Sequence, residues 1–314
     1  FSRHGVRIAG LDAVLGQPSA WVVEGGQWVW PPVELGFVRR VRLAPAELRA
    51  PEEFELETVS LRPVAVRARG IIRAEEATEI IGRSEPKMFK SGVALKDQDK
   101  GKKSNEFRTS AQQSYPAFAP PVLALDRRVQ DLTRVPLTHL EQIQVLRYNV
   151  GEHYTAHHDY FDPRDYSGQD RERGQANNRF LTVFFYLNQP EAGGETAFPR
   201  GGKLPQPHDF LDCSRGIAIK PERLAVLLFY SMLPNGEFDA TSLHTGCDVR
   251  EGVKWSANFW LWSLPKSRSG TSAAIAAELA AQEADEDGRP RRPSEAHMVS
   301  AGDGGDDITQ GKST

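Results

Sequence analysis

The chemistry-bearing residues of this sequence centre on two histidines and a carboxylate. His157 and Asp159 lie one residue apart in Tyr154-Thr155-Ala156-His157-His158-Asp159, a stretch that reads as extended. Side chains alternate faces along a strand, so His157 and Asp159 share a face and His158 points the other way. An imidazole nitrogen and a carboxylate oxygen on one face can hold a common ion. His244, in Ser242-Leu243-His244-Thr245-Gly246, ends another predicted strand and supplies a third ligand. Two histidines and one carboxylate on one side of a metal form the donor set of non-haem iron(II) oxygenases, which leaves about three of six positions open for cosubstrate and oxygen. A lone His-x-Asp pair is more often an ordinary hydrogen bond, so the reading depends on the rest of the sequence.

Lys254 supplies the next constraint. It opens Lys254-Trp255-Ser256-Ala257-Asn258-Phe259-Trp260-Leu261-Trp262, ten residues after His244. Alternation puts Lys254, Ser256, Asn258, Trp260 and Trp262 on one face. A lysine at the head of so apolar a strand is costly to bury without an anion. It can either snorkel to water from the strand end or act as a point charge for the far carboxylate of a dicarboxylic acid at the metal. A zinc hydrolase could use the same three ligands. It would need a spare carboxylate at a base-like spacing, which the sequence does not offer, and would leave Lys254 without a task.

The elements that must position these residues are short and rich in Val, Phe, Tyr and Trp. Strands are expected over Ile143–Val150, Phe180–Asn188, Leu224–Ser231 and Val253–Ser263, separated by turn signals such as Gly193-Gly194 and Pro234-Asn235-Gly236. That spacing argues for a sandwich or barrel rather than a parallel α/β sheet. Helices are expected over Arg73–Ile81, where Ala74, Ala77, Ile80 and Ile81 form one face, and over Pro120–Leu132. Residues 96–106 and 162–178 read as polar loops, the first mobile. The chain has 314 residues, 39% hydrophobic and 26% charged, with net charge -3. This is core-forming material, with no electrostatic case for nucleic acid.

At this point the motifs resemble the prolyl 4-hydroxylases of the collagen and plant cell-wall type, within the Fe(II)/2-oxoglutarate-dependent dioxygenases. The resemblance is carried by Gln144-Val145-Leu146-Arg147-Tyr148-Asn149-Val150-Gly151, then Tyr154-x-x-His157-x-Asp159-Tyr160-Phe161 and Arg179-x-x-Thr182 leading to Tyr186-Leu187-Asn188. It continues through Gly193-Gly194-Glu195-Thr196-x-Phe198-Pro199, Leu243-His244-x-Gly246-Cys247-x-Val249 and Gly252-x-Lys254-Trp255, with Arg108-Thr109-Ser110 upstream. It implies an all-β core with flanking helices (α+β), a double-stranded β-helix or jelly roll. It implies Fe(2+) at His157, Asp159 and His244, and 2-oxoglutarate on that iron with its far carboxylate at Lys254. Tyr148 is the implied hydroxyl partner, Thr196 a pocket-lining residue, and Trp260 a neighbour of the catalytic centre. Tyr154 and Arg179 are implied to face a peptide groove. The implied reaction couples decarboxylation of 2-oxoglutarate by O2, giving succinate and carbon dioxide, to hydroxylation of a peptidyl proline, with L-ascorbate maintaining the iron. The same fold acting on another residue or a small molecule is the alternative.

The resemblance divides the chain into an irregular extension (1–55), the dioxygenase domain (56–265) and a disordered tail (266–314), with a short helix expected over Ala273–Ala281. Strand pieces at Trp21-Val22-Val23 and Gln27-Trp28-Val29-Trp30 fall in the extension. The two cysteines, Cys213 and Cys247, either bridge or stay free, so the secretory, endoplasmic-reticulum setting implied by the resemblance rests on them in part, with the cytoplasm as the alternative. The sequence opens on Phe1 rather than methionine, so any leader or membrane anchor is expected ahead of it. Nothing in the sequence sets an oligomeric state.

Overall fold

Alternation along the strands decides the architecture. The computed structural model describes residues 28–43, 52–115, 122–166 and 177–265. In chain order its elements are β1 (Val38–Leu43), β2 (Glu52–Leu61), β3 (Val64–Arg69), α1 (Ala74–Ser84), β4 (Phe89–Lys90), β5 (Ala111–Tyr115), α2 (Leu123–Thr133), β6 (Ile143–Tyr148) and β7 (Tyr154–His157). They continue with β8 (Arg179–Tyr186), β9 (Ala192–Gly193), β10 (Thr196–Phe198), β11 (Ile217–Ile219), β12 (Val226–Tyr230), β13 (His244–Gly246), β14 (Val249–Glu251) and β15 (Lys254–Trp262). Nine strands form one sheet in the order β1-β2-β3-β12-β8-β15-β6-β5-β4, and four form a second in the order β11-β10-β13-β7. The strand pairings are antiparallel.

The central strands of the large sheet are buried on both faces, and their residues sort by parity. Val183 and Phe185 of β8, with Trp255, Ala257 and Phe259 of β15, join the core shared with Leu125, Val129 and Leu132 of α2 and Ala77 and Ile80 of α1. The alternate residues, Phe184 and Tyr186 of β8 with Leu227 and Phe229 of β12, face Phe198 and Ile219 of the small sheet. A strand with period two delivers one set to each core. The result is the jelly-roll, double-stranded β-helix core expected from the sequence, with helices on one outer face. The helices are braced to each other where Arg128 of α2 bonds the Glu76 carboxylate of α1.

Several expected boundaries shift. The helix expected over Arg73–Ile81 starts at Ala74 and runs to Ser84, and that expected over Pro120–Leu132 runs Leu123–Thr133. The boundary at residue 55 falls inside β2, and part of the expected irregular extension is folded. Trp28 and Trp30 are fully buried in the helix-side core, where Trp30 Nε1 donates to the Leu132 carbonyl at the end of α2. β1 then pairs along β2. Prolines and glycines mask this in the sequence, because the two tryptophans pack without belonging to a periodic element. The expected mobile loop at 96–106 carries two short 3-10 turns, and Lys96 pairs with Asp165 at 2.7 Å while Asp97 N donates to Asp165 O. The expectations for Trp21–Val23 and Gln27, for most of loop 162–178, and for the tail with its helix over 273–281 lie outside the described residues. Among the described residues no helix is long and apolar enough to cross a membrane.

Candidate active site

The small sheet brings the three proposed ligands together. β7 and β13 are antiparallel neighbours with His157 opposite His244, so two histidines distant in sequence become a cross-strand pair. Asp159 lies just past β7, and its carboxylate lies 3.7 Å from Nε2 of each histidine. One ligand atom from each of the three residues lies within 4.8 Å of the others. Donor atoms about 2.1 Å from one ion lie roughly 3 to 4.2 Å apart, so a small inward shift of the side chains brings all three onto a common ion.

The backbone fixes which imidazole nitrogen faces the ion. His157 Nδ1 donates to the Thr155 carbonyl at 2.8 Å, and His244 Nδ1 donates to the Ser242 carbonyl at 3.0 Å. Each bond holds the tautomer whose Nε2 lone pair is free, the form a metal needs. Burial, then the neighbouring His244, keeps the His157 imidazole neutral, well below its ordinary range, against the pull of Asp159. Burial alone would push the Asp159 carboxyl up. His244, His157, Arg179 and a 2.6 Å bond from the Thr182 hydroxyl outweigh it and bring it to about 2. Two imidazoles that turn Nε2 to the site and a fixed carboxylate are the donor set that suits Fe(II), so the residues present fit that metal.

His158 is on the other face, as alternation requires. Its Nε2 bonds the Ala240 carbonyl at 3.3 Å, its ring stacks on Tyr160, and burial brings its pKa down to about 4.

Lys254 lies deeper. It is 2% exposed, and its Nζ sits 5.2 to 5.6 Å from the ring centres of Phe184, Tyr148 and Tyr186. Among the described residues no carboxylate pairs with it. Glu195 acts on it only at a distance and contacts Arg250. Burial pushes its amine down to about 7. A buried cation without a counter-ion, in a cavity it shares with the metal ligands, fits an organic dianion.

The remaining candidates divide. Tyr148, Tyr154 and Thr196 line the same cavity. Tyr154 stacks on His157 with centroids 3.6 Å apart, and the Arg108 guanidinium lies 4.6 Å from the Tyr154 ring centre. Trp260 and Arg179 stand outside the cavity wall. The Arg179 guanidinium grips Glu141 with two 2.9 Å bonds and lies 3.7 Å from the Trp260 ring centre. Glu141 also accepts from Trp262 Nε1.

Sequence reasoning did not single out Arg108, Thr182, Tyr186, Glu141 or Asn258 as site residues. For Asn258, alternation forward from Lys254 was the available signal. Asn178 left none. It is fully buried and bonds both the N–H and the carbonyl of Phe161, fixing the turn after Asp159.

Comparison with known proteins agrees with this geometry. The family model of the 2OG-Fe(II) oxygenase superfamily matches residues 143–262, from the first residue of β6 to the last of β15. Probable prolyl 4-hydroxylase 9 of Arabidopsis thaliana is 34% identical over 210 residues, 65% of this chain and 70% of the relative. Probable prolyl 4-hydroxylase 3 of the same plant is 32% identical over 238 residues, 73% of this chain and 80% of the relative. Among solved structures, the viral collagen prolyl hydroxylase of Paramecium Bursaria Chlorella virus-1, in its 2OG complex, aligns with a TM-score of 0.44 at 23% identity, covering 64% of this chain and 96% of that one. With ligands, cavity and relatives in agreement, the chain belongs to the 2OG-Fe(II) oxygenase superfamily and, within it, to the prolyl 4-hydroxylase family.

Proposed function

We propose that this protein hydroxylates proline residues in a peptide or protein to 4-hydroxyproline, using Fe(II), 2-oxoglutarate and O2 and releasing succinate and carbon dioxide. One observation carries the mechanism: a buried, counter-ion-free lysine shares a cavity with a His-Asp-His triad. The metal, when bound, supplies oxygen activation coupled to oxidation of the 2-oxo acid. The chain's own residues do the rest. His157, Asp159 and His244 would hold the metal on one side and leave the other open. Lys254 would fix the far carboxylate of 2-oxoglutarate, with Tyr148 and Thr196 on the same wall. The aromatic walls around Lys254 exclude water and strengthen that ion pair.

Tyr154 and Arg179 are the proposed peptide side, with Trp260, stacked on Arg179, as a proposed residue of the catalytic centre. The plant relatives named as prolyl 4-hydroxylases support proline as the target. They do not favour the alternative of another residue or a small molecule. Ascorbate, as the reductant that keeps the iron ferrous, belongs to the proposal. The Cys213–Cys247 bridge supports a secretory-pathway setting such as the endoplasmic reticulum, since such bridges persist in oxidising compartments.

The test is peptide-dependent turnover of 2-oxoglutarate, with hydroxyproline read by mass spectrometry on a proline-rich peptide. Hydroxyproline that tracks succinate one for one, and is lost in His157→Ala, supports the proposal. Succinate release without peptide hydroxylation overturns the proline assignment.

A further inference from the structure

Tyr186 ends β8 on the face that looks toward the small sheet, directly opposite Ser256 of β15. It is fully buried, and its edge packs on Phe184. Its hydroxyl donates to Thr196 Oγ1 at 2.8 Å. Thr196 is also buried and lines the cavity that holds Lys254. Among the described residues, Thr196 Oγ1 donates to nothing.

A threonine hydroxyl has one proton and two lone pairs, and its rotor turns to suit its surroundings. Left alone, Thr196 could donate to or accept from whatever sits beside Lys254. The Tyr186 proton occupies an acceptor site on Thr196 and leaves the Thr196 proton as the group available to the cavity. We propose that Tyr186 is a positioning residue for the cosubstrate: by donating to Thr196 it makes Thr196 a committed donor toward the carboxylate held at Lys254. This inference rests on the reading of Lys254 as the 2-oxoglutarate carboxylate site.

The arrangement selects for an acceptor-only group. A carboxylate can take the Thr196 proton and the lysine charge together, whereas a carboxamide's N–H2 end meets donors. Burial raises the Tyr186 phenol above its ordinary range, so it remains a donor throughout the working pH range. Tyr186 itself need not touch the cosubstrate; its effect passes through one oxygen of Thr196.

The test is direct binding to the metal-loaded protein, by calorimetry, of 2-oxoglutarate and of its C5 carboxamide, alongside steady-state kinetics. Tyr186→Phe keeps the ring and its packing and removes only the hydroxyl. It should weaken 2-oxoglutarate about tenfold, the scale of one hydrogen bond to a charged group. The carboxamide should change less than about twofold. The kinetic loss should appear in KM for 2-oxoglutarate rather than in kcat. Thr196→Val should lose as much, and adding Tyr186→Phe to it should cost nothing more, since the tyrosine acts only through the threonine. Thr196→Ser should restore binding when Tyr186 is present.

Equal weakening of both ligands by Tyr186→Phe, or no weakening of 2-oxoglutarate, overturns the inference. So does full additivity in the double variant. Lys254→Ala separates the two layers. If it leaves 2-oxoglutarate binding intact, the cosubstrate-site reading itself fails. If it abolishes binding while Tyr186→Phe does nothing, only the positioning role fails.

Discussion

Thr182 donates its hydroxyl proton to Asp159 Oδ2 across 2.6 Å, and both side chains are almost completely buried. The bond crosses from the large sheet to the turn after β7, so the big sheet orients the one carboxylate the small sheet's histidines need. Outer partners of this kind typically contribute about 10–100-fold in metal affinity. Thr182→Val keeps the shape and removes the donor. It should weaken Fe(II) by that order, with turnover largely restored by excess iron, whereas Thr182→Ser should remain near wild type. An iron titration of 2-oxoglutarate turnover reads the difference, and an unchanged half-saturation point in Thr182→Val would sink the idea.

The metal ligands were legible in the sequence because they obey strand alternation, and Lys254 because a lysine heading Trp255–Trp262 conflicts with its surroundings. Thr182 and Tyr186 were not, since Thr182-Val183-Phe184-Phe185-Tyr186 is a near-continuous apolar run in which nothing distinguishes the face toward the site from the face toward the helices. Only the pairing with β12 and β15 tells the faces apart. Arg179 was legible as a candidate, but its partners were not. Glu141 lies ahead of β6 and meets Arg179 only once the sheet closes. Trp28 and Trp30 were hidden for the same reason, being buried by tertiary contact with α2 rather than by a pattern of their own.

Lys254 should make cosubstrate affinity depend on pH. Burial, partly offset by Glu195, brings its amine from the ordinary 10.5 to about 7, so in the free protein it is charged below about pH 7 and neutral above. Carboxylate binding favours the charged form. KM for 2-oxoglutarate should therefore be flat below pH 7 and rise above it, with a limiting slope of about tenfold per unit. Binding at pH 8 should take up a proton, read as a difference in apparent enthalpy between two buffers. A flat KM from pH 6 to 9 with no proton uptake would show that the amine stays charged throughout.

The Cys213–Cys247 bridge should act on both stability and the metal site. It closes a 34-residue separation, and its loop entropy is worth about 3–4 kcal/mol on the chain-entropy estimate. Cys247 follows His244 by three residues, and the segment bearing Cys213 is also tied to β7 where Ala156 N donates to the Phe210 carbonyl. Cys213→Ser/Cys247→Ser should lower Tm by several degrees, and it should also weaken Fe(II). Calorimetry with and without metal separates these effects. A variant with unchanged Tm would mean the bridge constrains nothing the fold does not already hold.

Arg179 and Glu141 form a half-buried bidentate pair beneath Trp260 and Trp262. Removing one charge of such a pair costs more than the pair contributes, because the other is left without a partner. Glu141→Gln should destabilise by about 3 kcal/mol, while Glu141→Gln with Arg179→Met should recover part of that loss. Arg179→Lys keeps the charge but loses the fork and the stacking on Trp260. It should raise KM for the peptide more than for 2-oxoglutarate. Equal changes in both would place Arg179 in the metal site's support rather than on the peptide side.

His158 provides the sharpest control on the alternation argument, because it sits between two proposed ligands and is excluded only by the face it occupies. Its Nε2 bonds the Ala240 carbonyl and its ring lies on Tyr160, which in turn stacks on Phe238. The ring therefore has a packing role and no view of the metal. His158→Gln can retain a donor toward Ala240 and should keep iron affinity within about threefold, with a Tm loss of only a few degrees. His157→Gln replaces a ligand one residue away and should abolish turnover at any iron concentration. If His158→Gln instead lost iron as His157→Gln does, β7 would have to present its other face to the metal. The cross-strand pairing of His157 with His244 would then be wrong by one residue, which in a strand is the whole difference between inside and out.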